Sequence, residues 1–207
     1  MTFEALDWAS GDVCVTFTRG VDPAEVFARY GADPDRSRDL DANAASGLPS
    51  GQFAEGMVSL LRSGSLGAWT FCVEEDGVIG SWPEPLAALS RGTEVYSILS
   101  TDGLTVFQYW RDGDCLENFE PEPANSPPPY SSHWWDRVQE SLTEHAGTAM
   151  TPVVALVLDH LGLTLDDSTL ATAWPTLTLA EDDAPSAPRG DSYAGEGPVP
   201  PGTVKIL

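Results

Sequence analysis

The stretch WTFCVEEDGVIGSW, residues 69–82, decides the fold prediction. Its first half alternates large apolar residues with smaller ones, which is typical of a β-strand. Three carboxylates follow and end at Asp76-Gly77, a favoured pair for a tight hairpin because both central residues of a type I′ turn need positive φ. The pattern predicts that the strand turns here and that the acids are turn and solvent residues. The alternative, an acid cluster for a metal ion or a proton transfer, requires a second polar group facing them.

Glu74 is the member of this acidic run that the alternation places on the inner side of the strand. It shares a face with Thr70 and Cys72, so it can point into the core, where a buried carboxylate needs a partner. Arg19 is the partner that we expect. Arg19, Trp69 and Glu74 are therefore candidate binding residues of a pocket between sheet and helices.

Two further Asp-Gly pairs extend the pattern. Asp102-Gly103 lies between EVYSIL and LTVFQYW, and Asp112-Gly113 lies between TVFQYW and CLENF. Strand-like runs joined by such pairs describe an antiparallel meander. The predicted fold class is α+β, with an antiparallel β-meander covered on one face by helices and a helical C-terminal part.

The helices are predicted from capping residues and from apolar positions three and four apart. They cover residues 22–31, 82–92, 131–147, 151–162 and the segment LTLDDSTLATAW. Residues 32–52 have a loop-like composition, and residues 53–62 indicate a short helix or lead-in. We expect one α+β domain over residues 1–180 and a disordered-like, acidic, Pro/Gly-rich tail over residues 181–207.

The charge of the chain excludes some classes of partner. Its 207 residues carry a formal net charge of −22, and only ten are lysine or arginine. Such a field repels the phosphates of nucleic acids and anionic lipids and attracts a basic protein. No apolar run approaches the ~20 residues of a membrane span. We expect no nucleic-acid and no membrane partner.

The cysteines, histidines and sequence motifs indicate no catalytic or metal chemistry. Cys14, Cys72 and Cys115 each lie in an apolar run, which predicts buried thiols in a reducing cytosol. No histidine or cysteine spacing typical of zinc occurs, and no nucleophile elbow, Walker loop or dinucleotide fingerprint is present. The sequence predicts no cofactor, no metal and a cytoplasmic location.

Trp134-Trp135 follows a proline-rich connector and opens a predicted helix. Adjacent helical residues diverge by ~100°, so both rings cannot enter one core face. We expect one tryptophan to pack inside, and the other either to cover the connector or to be exposed as an interface anchor. Both are candidate binding residues.

Several motifs of the chain resemble an actinobacterial family catalogued as domain of unknown function 6461. The motifs are Trp8 with Cys14 to Gly20, the run Trp69, Glu74 and Gly77, and the helix exit at Ser90 and Gly92. The similarity covers about residues 5 to 170, and the tail has no counterpart. The resemblance implies a fold and an origin, and no family motif carries assigned chemistry.

Two classes of function are compatible with these observations. The favoured one is a non-enzymatic acidic protein-binding module, of immunity or adaptor type, that binds a basic or toxin-like protein. The alternative is a small-molecule-binding protein or an enzyme with a pocket between sheet and helices. A deep pocket with a buried Arg–Glu pair would favour the second class.

Overall fold

The computed structural model describes residues 6–53, 56–101, 103–121, 128, 133–144, 149–180 and 183–185. Within these ranges nine strands form one sheet. They are β1 Val13–Arg19, β2 Arg38–Leu40, β3 Gly51–Phe53, β4 Gly56–Leu66, β5 Trp69–Glu75, β6 Glu94–Thr101, β7 Leu104–Arg111, β8 Asp114–Phe119 and β9 Trp174–Ala180. The helices are α1 Pro23–Arg29, α2 Ala42–Ala45, α3 Pro83–Leu89, α4 His133–Glu144, α5 Met150–Leu161 and α6 Asp167–Ala171.

The sheet is antiparallel, in the order β2-β9-β4-β5-β1-β6-β7-β8, with β3 paired to β4 beside this path. The prediction of an α+β fold with an antiparallel sheet is confirmed. The N-terminal strand β1 lies near the middle, between β5 and β6, so the meander is interrupted by a strand from the start of the chain. Central strands are buried on both sides, and all of β1 except its last residue is buried.

Two of the three predicted hairpins are present. Strands β6 and β7 form one of them, in which Thr101 pairs with Leu104 and Gly103 has a φ of 79°, while Asp102 lies outside the described residues. Asp112 and Gly113 join β7 to β8 with φ values of 53° and 91°, as a type I′ turn requires.

The first Asp-Gly pair does not form a hairpin, and that prediction is wrong. Asp76 has a φ of 59°, but the φ of Gly77 is not positive. The chain continues into a short 3₁₀ turn, Ile79–Ser81, and then into α3. Strand β6 pairs with β1 and not with β5, so residues 76–93 form a crossover connection.

Helices pack on both faces of the sheet, whereas the sequence predicts helices on one face only. Val15, Phe17 and Phe71 point towards α4 and α5. Cys72 and Leu61 point towards α1 and α3. The sequences of β1 and β5 explain why both faces are covered. The side chains on each face of these two strands are apolar or small, so both faces can be buried.

The start of α1 and the end of α5 agree with the predicted caps, whereas α5 begins at Met150 without a side-chain cap and Thr151, the predicted cap, lies inside it. The carboxylate of Asp22 accepts a hydrogen bond of 2.8 Å from the backbone N–H of Glu25 and begins α1. Gly162 ends α5 with a φ of 67°. No described helix is long and apolar enough to cross a membrane.

Three segments differ from the sequence prediction. Residues 53–62, expected as a short helix or lead-in, belong mainly to β4, because a short apolar run does not distinguish a buried strand from a helix. The expected loop over 32–52 contains β2 and α2. The strand β9 was not predicted, and it pairs with both β2 and β4.

Three described residues of the predicted tail, 183–185, contact the folded core. Ala184 is buried in the core beneath α1, and the ring of Pro185 lies against Gly31. These contacts assign residues 183–185 to the folded part, because they cover the exit of α1. The remainder of the predicted tail, residues 181–182 and 186–207, lies outside the described residues, and the domain boundary after residue 180 stays a prediction.

Candidate binding site

The three acids of the opening stretch have three different environments. Glu74 is completely buried. Its Oε1 atom accepts hydrogen bonds from the Ser59 hydroxyl at 2.6 Å and from the Ile79 N–H at 2.9 Å. Its Oε2 atom accepts one from the Gly80 N–H at 2.7 Å. The carboxylate therefore holds the 3₁₀ turn after β5 against β4, and this turn positions α3.

Two glycines make this close approach possible. A Cβ atom at Gly77 would lie 1.9 Å from the Ser59 hydroxyl oxygen and 2.3 Å from Oε1 of Glu74. A Cβ atom at Gly80 would lie 2.4 Å from the Tyr30 hydroxyl. Both distances are far below contact distance, so the sequence Asp-Gly-Val-Ile-Gly is needed to wrap the backbone around the carboxylate.

Cysteine and tyrosine side chains surround Glu74. Burial raises the pKa values of Cys14 and Cys72, and the charge of Glu74 raises them further. Burial also raises the pKa of Tyr30, which is hydrogen-bonded to Thr16 at 3.1 Å. Thiols in such surroundings remain protonated and unreactive, so we interpret this cluster as part of the folded core.

Cys115 differs from the other two cysteines, and the prediction that it is buried is wrong. It lies exposed on β8, at the edge of the sheet. Partial burial of its sulfur raises its thiol pKa to about 11.

We expect a native-state thiol assay with a disulfide reagent at pH 8 to modify one cysteine, Cys115, in minutes and the other two only after unfolding. Rapid loss of two or three thiols would contradict the burial of Cys14 and Cys72, and Cys115→Ser removes the fast phase if the assignment is right.

Glu75 and Asp76 line a groove on the opposite face of the sheet. Glu75 is partly buried, and Asp76 is exposed with its carboxylate 2.9 Å from the Ser50 hydroxyl. The groove has a volume of about 400 Å³. Its polar lining consists of four carboxylates and one guanidinium, from Asp12, Glu75, Asp76, Asp167 and Arg62, beside the ring of Trp8. The second polar group that the acid-cluster alternative requires is therefore present.

The groove is held open by bonds between distant parts of the chain. Asp167 accepts hydrogen bonds from the backbone N–H groups of Asp7 and Trp8, at 3.2 and 3.0 Å. Arg62 is buried and donates to the carbonyl oxygens of Leu170 and Thr172, at 2.9 and 3.1 Å. These contacts connect α6, β4 and a 3₁₀ turn near the start of the chain, Asp7–Ser10, so the groove walls are fixed in the folded chain.

The charges in the groove are unbalanced. Burial raises the pKa of Glu75, nearby Asp76 raises it further, and Arg62 opposes the shift. Burial lowers the pKa of Arg62, which Glu75 and Asp41 oppose. With all carboxylates ionised, the lining carries a formal charge of −3, so a cation entering the groove relieves repulsion between carboxylates. Among the described residues, no three acidic, histidine or cysteine side chains form a group that could hold a metal ion.

Arg19 and Glu74 do not form the predicted pair. In the register of β1 and β5, Arg19 lies opposite Trp69 and Cys14 lies opposite Glu74. Five residues of extended chain, about 16 Å, separate the two positions, and successive side chains point to opposite faces. Arg19 instead binds Glu94 at 3.1 Å.

The predicted tryptophans lie in the core. Trp134 and Trp135 are both buried, so the expectation that only one packs inside is wrong. Trp134 packs between the sheet and α5, with its ring 5.2 Å from that of Tyr96 and 4.9 Å from that of His160. Trp135 packs on Phe119, the last residue of β8, at 5.3 Å. The two rings contact different partners, Tyr96 and His160 for Trp134 and Phe119 for Trp135, so both are covered.

The structure brings only some of the predicted site residues together. Trp69 and Trp134 both contact Tyr96, and Arg19 lies beside Trp69 in the register. Glu74 lies at the other end of β5, and Trp135 lies towards β8. The sequence did not predict the groove residues Asp12 and Asp167, because they lie about 150 residues apart in the chain. The acidic pair Glu75-Asp76, which lines the same groove, was the only sequence signal of this site.

Comparison with known proteins gives one match. The model of a family of unknown function (DUF6461) matches residues 3–148. The matched region contains β1 to β8 and α1 to α4 and ends before α5, so it is shorter than the resemblance to about residue 170. No curated protein and no solved structure matches the chain.

Proposed function

Because the chain belongs to this family of unknown function, we propose its role from the chemistry of its surface, as a non-enzymatic module that binds a basic protein. The partner inserts lysine or arginine side chains into the groove formed by Trp8, Asp12, Glu75, Asp76 and Asp167. An immunity- or adaptor-type role, with a toxin-like basic protein as the partner, fits this mode of binding.

The groove is the observation that supports this proposal. Four carboxylates around one guanidinium disfavour an anionic ligand and favour a cationic one. The long-range field has the same sign, since the whole chain carries −22. It accelerates the approach of a basic partner and repels nucleic acids. Trp8 provides a partly buried aromatic face beside the acids, against which the stem of a lysine or arginine can pack.

A cytoplasmic location and an actinobacterial host form part of the same proposal. Three unpaired thiols in 207 residues are typical of a reducing compartment. The preference for arginine over lysine is consistent with a biased codon usage in the host. A gene for a basic or toxin-like protein beside this one would support the immunity role.

The test is a binding measurement on matched charge variants. We expect the full chain to retain a basic protein from host extract, and the purified partner to bind it by isothermal titration. The double variant Glu75→Gln/Asp76→Asn should weaken that affinity about tenfold or more, because each removes a charge that contacts the ligand. Asn tolerates the positive φ at position 76, so the fold is retained.

The control removes the same charge elsewhere. Asp112 also has a positive φ, and Asp114 is exposed beside it at the β7–β8 hairpin. Asp112→Asn/Asp114→Asn should leave the affinity nearly unchanged at physiological salt. Equal weakening by both double variants would mean that net charge alone attracts the partner, and the groove would be the wrong site.

A further inference from the structure

A second cleft, at the opposite end of the sheet, carries the reverse charge. It has a volume of about 530 Å³, within the range of small-molecule sites. Four arginines line it together with two acids, namely Arg19, Arg29, Arg91, Arg111, Glu94 and Asp112. The chain contains only ten lysines and arginines in all. Its lining has a formal charge of +2, whereas the whole protein has a net charge of −22. The cleft is therefore a positively charged region on a negatively charged protein.

Glu94 holds two of the arginines in place. Its Oε1 atom accepts from Nη1 of Arg19 at 3.1 Å, and its Oε2 atom accepts from Nη2 of Arg111 at 2.8 Å. The Tyr109 hydroxyl donates to the same Oε2 at 2.8 Å. Burial disfavours the charged form of Glu94, but these hydrogen bonds outweigh it and lower the pKa of the carboxyl group. Glu94 therefore remains ionised and fixes both guanidinium groups at the mouth of the cleft.

The other two arginines differ in their roles. Arg29 donates from Nη1 to the carbonyl oxygens of Ala88, Leu89 and Arg91, at 3.2, 2.9 and 3.2 Å, and so caps the C-terminus of α3. The side chain of Arg91 is exposed, and within the described residues it makes no hydrogen bond or ion pair. Arg19 and Arg111 are more than half exposed and keep further N–H groups for a ligand. Arg19, Arg91 and Arg111 can thus converge on one anion.

We propose that this cleft binds the phosphate group of a small phosphorylated molecule, through Arg19, Arg91 and Arg111. The planar guanidinium group matches phosphate oxygens with paired hydrogen bonds. A phosphate monoester carries about −1.5 to −2 charges at pH 7, which matches the +2 of the lining. A nucleic acid strand would bring many further phosphates against the acidic surface, so the charge favours a small ligand. This site is separate from the acidic groove and does not depend on the proposed protein partner.

The test is isothermal titration of the full chain with inorganic phosphate, glucose 6-phosphate and citrate, at about 0.15 M ionic strength, where the Debye length is about 8 Å. We expect both phosphates to bind and citrate, as a carboxylate probe, to bind more weakly. Arg91→Gln should weaken phosphate binding about tenfold or more, because it removes a charged donor. Its side chain supports no described contact, so its melting temperature should equal that of the wild type. Arg111→Gln should weaken binding similarly.

The matched control is Arg36→Gln, an exposed arginine outside the cleft. It makes the same change in net charge and should leave phosphate affinity within about twofold, since long-range attraction is weak beyond a Debye length. Absence of phosphate binding to the wild type, or an equal loss in Arg36→Gln and Arg91→Gln, would refute the site. Tighter binding of citrate than of either phosphate would refute the phosphate assignment.

Discussion

Glu74→Gln is expected to lower the free energy of unfolding by about 3 kcal/mol, because it loses a charge-assisted hydrogen bond and leaves a buried N–H group without an acceptor. The carboxylate is fully buried and accepts three hydrogen bonds, from Ser59, Ile79 and Gly80. Glutamine has one acceptor oxygen and two N–H donors. Its NH₂ group must therefore face at least one backbone N–H of the 3₁₀ turn, which loses a hydrogen bond and brings two donors together. Urea unfolding followed by tryptophan fluorescence measures the effect.

Glu75→Gln is the matched control, since it makes the same chemical change one residue later. Burial raises the pKa of Glu75, so the folded state disfavours its ionised form. Because the pKa of Glu75 is higher in the folded than in the unfolded state, its protonation stabilises the fold at a pH below the unfolded-state pKa. This stabilisation is lost as the pH rises through the folded-state pKa. Removing the charge therefore costs nothing at pH 7, and we expect a change within about 0.5 kcal/mol, if anything stabilising. Similar effects of the two variants would show that Glu74 does not hold the turn.

Local sequence patterns predicted the elements that local chemistry controls. The helix α1 follows from Asp22 and Pro23, and the hairpin at Asp112-Gly113 follows from the positive φ that its turn needs. The same Asp-Gly pattern failed at residues 76–77. There, a buried carboxylate from the preceding strand captures the next backbone N–H groups and directs the chain into α3. Whether an acid at the end of a strand is buried depends on the neighbouring strands. The neighbour of β5 in the sheet, β1, lies about 60 residues earlier in the chain, so the local sequence does not reveal it.

The sites were less predictable than the fold, because each combines residues from distant segments. The alternation of side chains correctly predicted that Glu74 is buried, but it could not identify the residues that bind it. The register of β1 against β5 cannot be predicted from the sequence of either strand alone. Arg19 was identified as a binding candidate on the expectation that it pairs with Glu74. The structure places it beside Glu94 instead, in the arginine-lined cleft. One of the two tryptophans was expected outside the core, and the burial of Trp135 was not predicted because the residue that covers it, Phe119, lies before the connector.

Gly77→Ala is expected to destabilise the protein by about 3 kcal/mol, although the φ of Gly77 is not positive and the turn itself permits alanine. The new methyl group would lie 1.9 Å from the Ser59 hydroxyl oxygen, 2.7 Å from its Cβ atom and 2.3 Å from Oε1 of Glu74. Either the turn moves away or Ser59 rotates, and both break the hydrogen bond of 2.6 Å between Ser59 and Glu74. Gly11→Ala is the control, because no atom lies within 4 Å of the added Cβ and its φ of −100° suits alanine.

A second substitution separates the clash with Ser59 from the clash with Glu74. Ser59→Gly removes both Ser59 atoms that the new methyl group would meet, and it also loses one hydrogen bond to Glu74, so alone it should destabilise by about 1–2 kcal/mol. If the clash with Ser59 dominates, Gly77→Ala should cost about 1 kcal/mol or less when Ser59 is already glycine, and a double-mutant cycle by urea unfolding measures this coupling. Strictly additive losses would mean that Ser59 is not the group that excludes the methyl group, and that the contact of 2.3 Å with Oε1 of Glu74 carries the cost instead. Glycine would then be required at residue 77 by the buried carboxylate alone, and not by the strand β4 that lies against it.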